Sequence, residues 1–173
     1  MRVDERLTSY SAMVFGSLKV DDLSVRAKAT YGQNTSHMQQ PTGFGVVEVF
    51  DNGVQNYEPM QLGSAWVTMM YGKKLRYGFF AGWMKNYGSA GDKFTSLVVR
   101  NNAGMDQAYR FSPIVTYKVQ NLQIGLEYEH TSTAYGDYFV HQNDYPRQVT
   151  NGTVTNTHWV ANNRVCVMVK YDF

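Results

Sequence analysis

The chain has one cysteine, no long apolar run and few charged residues, and each scarcity excludes a class of protein. The single Cys166 has no partner within the chain, which excludes a small disulfide-stabilised scaffold. The longest apolar stretches, such as residues 77–84, are shorter than the roughly 18 residues of a membrane-crossing helix. Charged residues make up only 17% of the chain, and the net charge of +2 is too small to indicate binding to nucleic acid.

Aromatic residues and alternating patterns are what the chain does have. Aromatics reach 14%, with 13 tyrosines, and there are 15 glycines. In residues 23–31 every odd position is apolar and every even position is polar, and residues 122–129 and 164–173 alternate in the same way. A period of two is typical of a strand with one apolar face and excludes a helix. The sequence therefore predicts an all-β protein.

Seven strands of about ten residues account for this pattern. They are expected near Tyr10–Val20, Leu23–Gly32, Ser64–Gly72, Arg76–Tyr87, Ala108–Val119, Leu122–Thr131 and Trp159–Phe173. Short connections, suited to tight hairpins, alternate strictly with long ones at 33–63, 88–107 and 132–158. Residues 46–57 contain a further hairpin pattern around Asn52-Gly53.

Short turns at one end and long loops at the other are typical of outer-membrane β-barrels. Aromatic rings near both strand ends fit the two membrane interfaces. They are Tyr71, Tyr77, Tyr171 and Phe173 near the short turns, and Tyr31, Tyr87, Tyr109 and Trp159 near the long loops. We therefore expect an antiparallel up-and-down transmembrane β-barrel in the bacterial outer membrane, in contact with its lipid.

Strand parity assigns residues to two faces. The face expected to meet lipid has no charge at its central positions, which are Val25, Ala27, Ala29, Val67, Met69, Phe79, Ala81, Val115, Tyr117, Ile124, Leu126, Val167 and Val169. Lys85 falls on this face near the long loops, and Pro113 suggests a bulge because it removes a ladder hydrogen bond. The opposite face carries the residues expected to line a pore: Lys19, Arg26, Lys28, Arg110, Lys118, Glu127, Glu129, Arg164 and Lys170, with Asp172 beside them.

Seven bases against three acids on this second face favour the passage of small anions, because rings of Arg and Lys select anions in pores. Charge pairing that merely stabilises the wall is the alternative. Seven strands start and finish at opposite ends, whereas a bacterial barrel normally has an even number. We therefore expect residues 1–173 to be a single domain that forms the C-terminal part of a larger barrel, with an odd number of strands upstream.

Residues 164–173 resemble the assembly signal of outer-membrane proteins, in which alternating hydrophobic residues precede a terminal aromatic, here Phe173. This resemblance implies recognition of the last strand by the barrel assembly machinery. Further stretches resemble the C-terminal part of porins from Bacteroidota, similar to the DcaP-type trimeric porins. They are Tyr31-Gly32-Gln33-Asn34, Ser64-Ala65-Trp66, Tyr71-Gly72-Lys73-Lys74, Tyr109-Arg110-Phe111-Ser112-Pro113, Gly125-Leu126-Glu127-Tyr128-Glu129 and Val154-Thr155-Asn156. The resemblance implies a sixteen-stranded homotrimeric channel for small anionic solutes such as dicarboxylates.

Two other functions fit the same pattern. One is a soluble lipocalin-like ligand-binding barrel with its apolar face inside, and the other is a surface binding or adhesion protein that uses its long loops. An enzyme is not expected. Ser112, Ser132 and Asp137 are the candidates for catalysis near the rim, but no partner spacing singles one out, and we expect no cofactor or metal site.

Overall fold

The computed structural model describes residues 6–38, 40–91, 94, 98–102, 104–137 and 151–172. Phe173, on which the predicted contact with the assembly machinery depends, lies outside them. The described residues form antiparallel β-sheets with one short 3-10 helix at Thr35–Met38. The strands are β1 (Ser11–Val20), β2 (Leu23–Gln33), β3 (Gly43–Val49), β4 (Gln55–Pro59), β5 (Gln61–Gly72), β6 (Leu75–Gly88), β7 (Val98–Arg100), β8 (Met105–Val119), β9 (Leu122–Asp137) and β10 (Thr155–Tyr171).

The larger sheet contains seven strands in the order β1-β2-β5-β6-β8-β9-β10. Each of these strands pairs with the next one along the chain, if β3, β4 and β7, which form the smaller sheet, are left out. Short turns join β1 to β2, β5 to β6 and β8 to β9. Asp21 and Gln120 take the left-handed conformation in two of these turns, with φ of 49° and 52°. Gly72 has φ 113° in the third, where a Cβ would collide with the carbonyl oxygen of Leu75. The turns thus supply the backbone conformations that tight hairpins need.

All seven predicted strands are present, and the alternation of short and long connections is confirmed. The strands differ from the prediction mainly in length, since they run from 10 to 17 residues and extend further at the long-loop end. The suggestion of a bulge at Pro113 is wrong. Pro113 pairs with Phe79 in unbroken register, and the ladder to β9 keeps its register between Phe111 and Ile114.

The predicted hairpin in the first long connection is also present, as β3 and β4, and β7 adds a third strand to it. The turn at residues 51–53 is exposed, and Gly53 has φ 83°. The largest fully buried apolar side chains of the described residues lie in and around this small sheet: Val46, Met60, Leu62 and Phe94. Phe94 lies directly against Gly45 and Gly152 and packs with Met60, so within the described part of the chain the packed core is in the loop region.

Hydrogen bonds join the three long connections to one another. Asn86 Nδ2 donates to the carbonyl oxygen of Gly152 at 2.7 Å, and the Ser89 amide donates to that of Asn151 at 2.6 Å. Asn101 Nδ2 donates to the carbonyl oxygen of Ser36 at 2.6 Å. The loops therefore form one connected layer above the long-loop end of the large sheet.

The large sheet is open in the part of the chain that the structure describes. β1 and β10 are its two edges, and nearly all of their residues are exposed. All six strand pairings are antiparallel, so β1 and β10 run in the same direction. Among the described residues, no helix has the length and apolar character required to cross a membrane.

Candidate functional site: the charged face of the large sheet

The strand register shows which side chains share a face, because residues paired across an antiparallel ladder point to the same side. One row of paired residues is Phe15, Lys28, Trp66, Gly82, Arg110, Thr131 and Asn162. The neighbouring row toward the short turns contains Arg26, Thr68, Phe80 and Ser112. Following these rows, all nine predicted pore-lining residues lie on one face, which we call the charged face.

The other face, which we call the apolar face, is built from the rows in between. One of these rows is Gly16, Ala27, Val67, Ala81 and Phe111. Its large side chains are open to solvent in the isolated chain, since Leu126 is 49% exposed and Val167 is 72% exposed. No element of the described residues covers this face.

Aromatic rings lie at both ends of the apolar face. Tyr71 and Tyr77 pair with each other beside the short turn between β5 and β6. At the long-loop end the rings of Tyr31 and Tyr87 lie 6.3 Å apart, and those of Tyr109 and Trp159 lie 5.4 Å apart. Lys85, predicted to lie on this face near the long loops, binds the buried Asp106 with its Nζ 2.7 Å from Oδ2. The ion pair explains how a lysine is accommodated there.

Two ion-pair groups occupy the β8–β10 half of the charged face. The Glu129 side chain is only 11% exposed, and its Oε2 accepts from Arg110 and, at 2.8 Å, from Arg164. Asp172, beyond the end of β10, binds Lys170 at 2.7 Å and Lys118 at 3.4 Å. The hydrogen bond from Lys170 has the largest effect on the pKa of Asp172, and Lys118 has a smaller effect in the same direction. Together they hold this pKa below its ordinary value.

The β1–β5 half of the same face differs. Lys19, Arg26 and Lys28 make no ion pair with any residue that the structure describes. Arg76 of β6 shares this face and is likewise unpaired within the described residues. The alternation along β6 could have predicted this position of Arg76, because Arg76, Gly78 and Phe80 are two residues apart and therefore share one face.

Three aromatic rings also lie on the charged face, which the sequence reasoning did not predict. Phe15 and Phe80 lie on either side of Trp66, with ring centroids 6.3 Å away in each case. A groove of about 340 Å³ opens beside Trp66 and Phe80. Its lining also includes Lys28, Gln40, Ser64, Ala65, Gly82, Trp83, Met84, Ala108, Tyr109, Arg110 and Thr131.

The catalytic candidates do not form a constellation. Ser112 lies on the charged face, whereas His130, paired with Phe111, lies on the apolar face. Ser132 is buried, and Asp137 accepts a hydrogen bond from Asn156 at 3.2 Å. None of the three candidates hydrogen-bonds to a histidine among the residues described.

Comparison with known proteins adds no relative to this description. No family model matches the chain, and neither the curated proteins nor the solved structures contain a match. The class that the structure defines is therefore an all-β protein built from antiparallel sheets.

Proposed function

We propose that the large sheet is part of a transmembrane β-barrel in a bacterial outer membrane, and that this barrel is a passive channel for small hydrophilic, mainly anionic solutes. The observation that carries the proposal is the contrast between the two faces. An apolar face with exposed Leu126 and Val167 is suited to lipid, since burial of each such side chain contributes about 1.5–3 kcal/mol. The opposite face carries the charges that need water.

The dimensions of the strands support this proposal. A membrane-crossing β-strand needs about 9–11 residues, and every strand of the large sheet has at least ten. Aromatic rings at both ends of the apolar face suit the two membrane interfaces. The connected loop layer above the long-loop end suits the outer mouth of a channel.

The strand directions specify how such a wall closes. Since β1 and β10 run in the same direction, pairing them directly would form a parallel seam. An odd number of further strands between them makes the wall antiparallel throughout, as is usual in bacterial barrels. The sixteen strands and the homotrimer implied by the porin resemblance remain predictions.

The charge distribution favours anions. Lys19, Arg26, Lys28 and Arg76 lack acidic partners among the described residues, and the four bases of the paired half exceed its three acids, which are Glu127, Glu129 and Asp172, by one. Fixed positive charges along a water-filled wall raise the local concentration of anions.

Conductance tests the proposal. The full-length protein, extracted in detergent and added to a planar lipid bilayer, is expected to give stepwise currents with a reversal potential that favours chloride over potassium. A protein that stays monodisperse in plain buffer without detergent and gives no current would instead be a soluble ligand-binding barrel. Deletion of residues 33–63 serves as the control for a loop-based binding role, because a channel wall does not need that connection to conduct.

A further inference from the structure

The rings of Trp66 and Phe80 form an aromatic floor in the groove beside them. The two ring centroids lie 6.3 Å apart, with the ring planes inclined by 32°. Gly82 makes room for this arrangement, because a Cβ there would lie 2.8 Å from the ring of Phe80. The floor therefore offers flat apolar surface in the middle of a face that is otherwise polar and charged.

Positive charges lie on both sides of this floor. Lys28 pairs with Trp66 across β2 and β5, and Arg110 pairs with Gly82 across β6 and β8. Arg110 is held by Glu129 and by the hydroxyl of Thr131, to which its Nε donates at 3.2 Å. Lys28 has no ion-pair partner among the described residues, so its ammonium group is available to an anion in the groove.

Gln40 supplies the third element. Its Oε1 atom is buried beside the groove and has no hydrogen-bond partner in the described part of the chain. A buried amide oxygen normally accepts at least one hydrogen bond. The hydroxyls of Ser64 and Thr131 line the same space. A ligand that donates a hydrogen bond to Gln40 would satisfy this oxygen.

From these three elements we infer that the groove is a binding subsite for an acidic monosaccharide such as a uronate. The apolar C–H face of the sugar ring packs on Trp66, its carboxylate binds Lys28, and a hydroxyl donates to Gln40. A neutral hexose leaves Lys28 unpaired, and an aromatic acid without hydroxyls leaves Gln40 unsatisfied. The inference rests on the proposed function because it names a solute class for the proposed channel.

Intrinsic fluorescence tests the subsite in the full-length detergent-solubilised protein. Trp66 and Trp83 both line the groove and Trp159 does not, so Trp159→Phe removes the tryptophan of residues 1–173 that does not report on it. Galacturonate is titrated at constant ionic strength beside galactose and benzoate. We expect a saturable change with galacturonate at concentrations at which the other two give none. Equal responses to galacturonate and galactose, or no response to either, would overturn the subsite.

Two substitutions sharpen the assignment. Lys28→Met should weaken galacturonate binding about tenfold, because it removes a charge-assisted hydrogen bond. Lys19→Met is the matched control, since Lys19 shares the charged face and also lacks an ion pair but does not line the groove. Gln40→Leu should also weaken galacturonate binding, because the ligand hydroxyl loses its acceptor. Equal losses in both lysine variants would show general charge attraction and contradict the subsite.

The outcomes separate this subsite from the channel proposal. Ion currents without a specific galacturonate response would leave the channel standing and reject the subsite. Specific binding without any current would support the groove and reject the channel.

Discussion

The two halves of the charged face use positive charge differently. On β8–β10, Arg110 and Arg164 share Glu129, while Lys118 and Lys170 share Asp172. On β1–β5, Lys19, Arg26 and Lys28 have no acidic partner among the described residues. The ion pairs therefore link β8, β9 and β10, whereas the β1–β5 charges make no such link among the described residues.

The largest effect is expected when the ion pairs of Glu129, in the β8–β10 half, are broken. Glu129→Gln leaves two arginines side by side without their shared carboxylate, and we expect it to lower the free energy of unfolding in detergent by about 2 kcal/mol. The figure is modest because both arginines are partly exposed, which screens their repulsion. Urea unfolding followed by tryptophan fluorescence measures it. Glu127→Gln, on the same strand and face but without an ion pair in the described residues, is the control and should change stability by less than about 0.5 kcal/mol.

The second prediction concerns the unpaired half and bears on ion selectivity. Arg26→Glu with Lys28→Glu should lower the anion-to-cation permeability ratio about threefold in 0.1 M salt, and less in 1 M salt, because the Debye length shrinks from about 10 Å to about 3 Å. Reversal potentials in a salt gradient measure the ratio. The control exchanges the charges of a pair, Glu129→Arg with Arg164→Glu, and conserves net charge. A larger shift from the exchange than from the double reversal would contradict the division into two halves.

The smallest effect is expected at Asp172, where the paired half ends. Because ion pairs with Lys170 and Lys118 lower the pKa of this carboxyl, they stabilise the end of β10 above the ordinary pKa of 3.8. The contribution is lost as the pH falls below 3.8 and through the lowered pKa. The protection factor of the Asp172 amide, which donates to the carbonyl oxygen of Asn121 at 2.9 Å, should therefore fall in acid, once the exchange rate is divided into the intrinsic rate at each pH. Asp172→Asn should have a lower protection factor at pH 6 and a smaller change in acid, and an unchanged pH dependence of protection in this variant would reject the assignment.

Strand positions and faces could be predicted from the sequence because both depend on local alternation. The bounds at the short turns agree closely, as at Leu23 and Leu122, where polar turn residues interrupt the pattern. At the long-loop end β9 continues to Asp137 instead of ending near Thr131, because backbone pairing with β10 extends beyond the clear alternation. The strand β7 was missed because its three residues are ordered by pairing with β3, which no local pattern reveals.

The candidate site was predictable only in part. Parity placed the charges on one face, but pairing between Glu129 and two arginines depends on the register of three strands. The aromatic floor was missed for the same reason, since Trp66 and Phe80 lie on two different strands. Gln40 comes from the first long connection, whose path over the sheet is not encoded in a repeating pattern.

The hairpin of β3 and β4 has a practical consequence for work on living cells. Its turn at residues 51–53 is exposed and is closed by local hydrogen bonds, such as that from the Gly53 amide to the Phe50 carbonyl oxygen at 2.9 Å. A peptide tag inserted there leaves Asn86 and Asn151 in place, whereas insertion beside either asparagine would separate two loops. This turn is therefore the preferred position for an epitope whose antibody labelling of intact cells would test the proposed outer-membrane location.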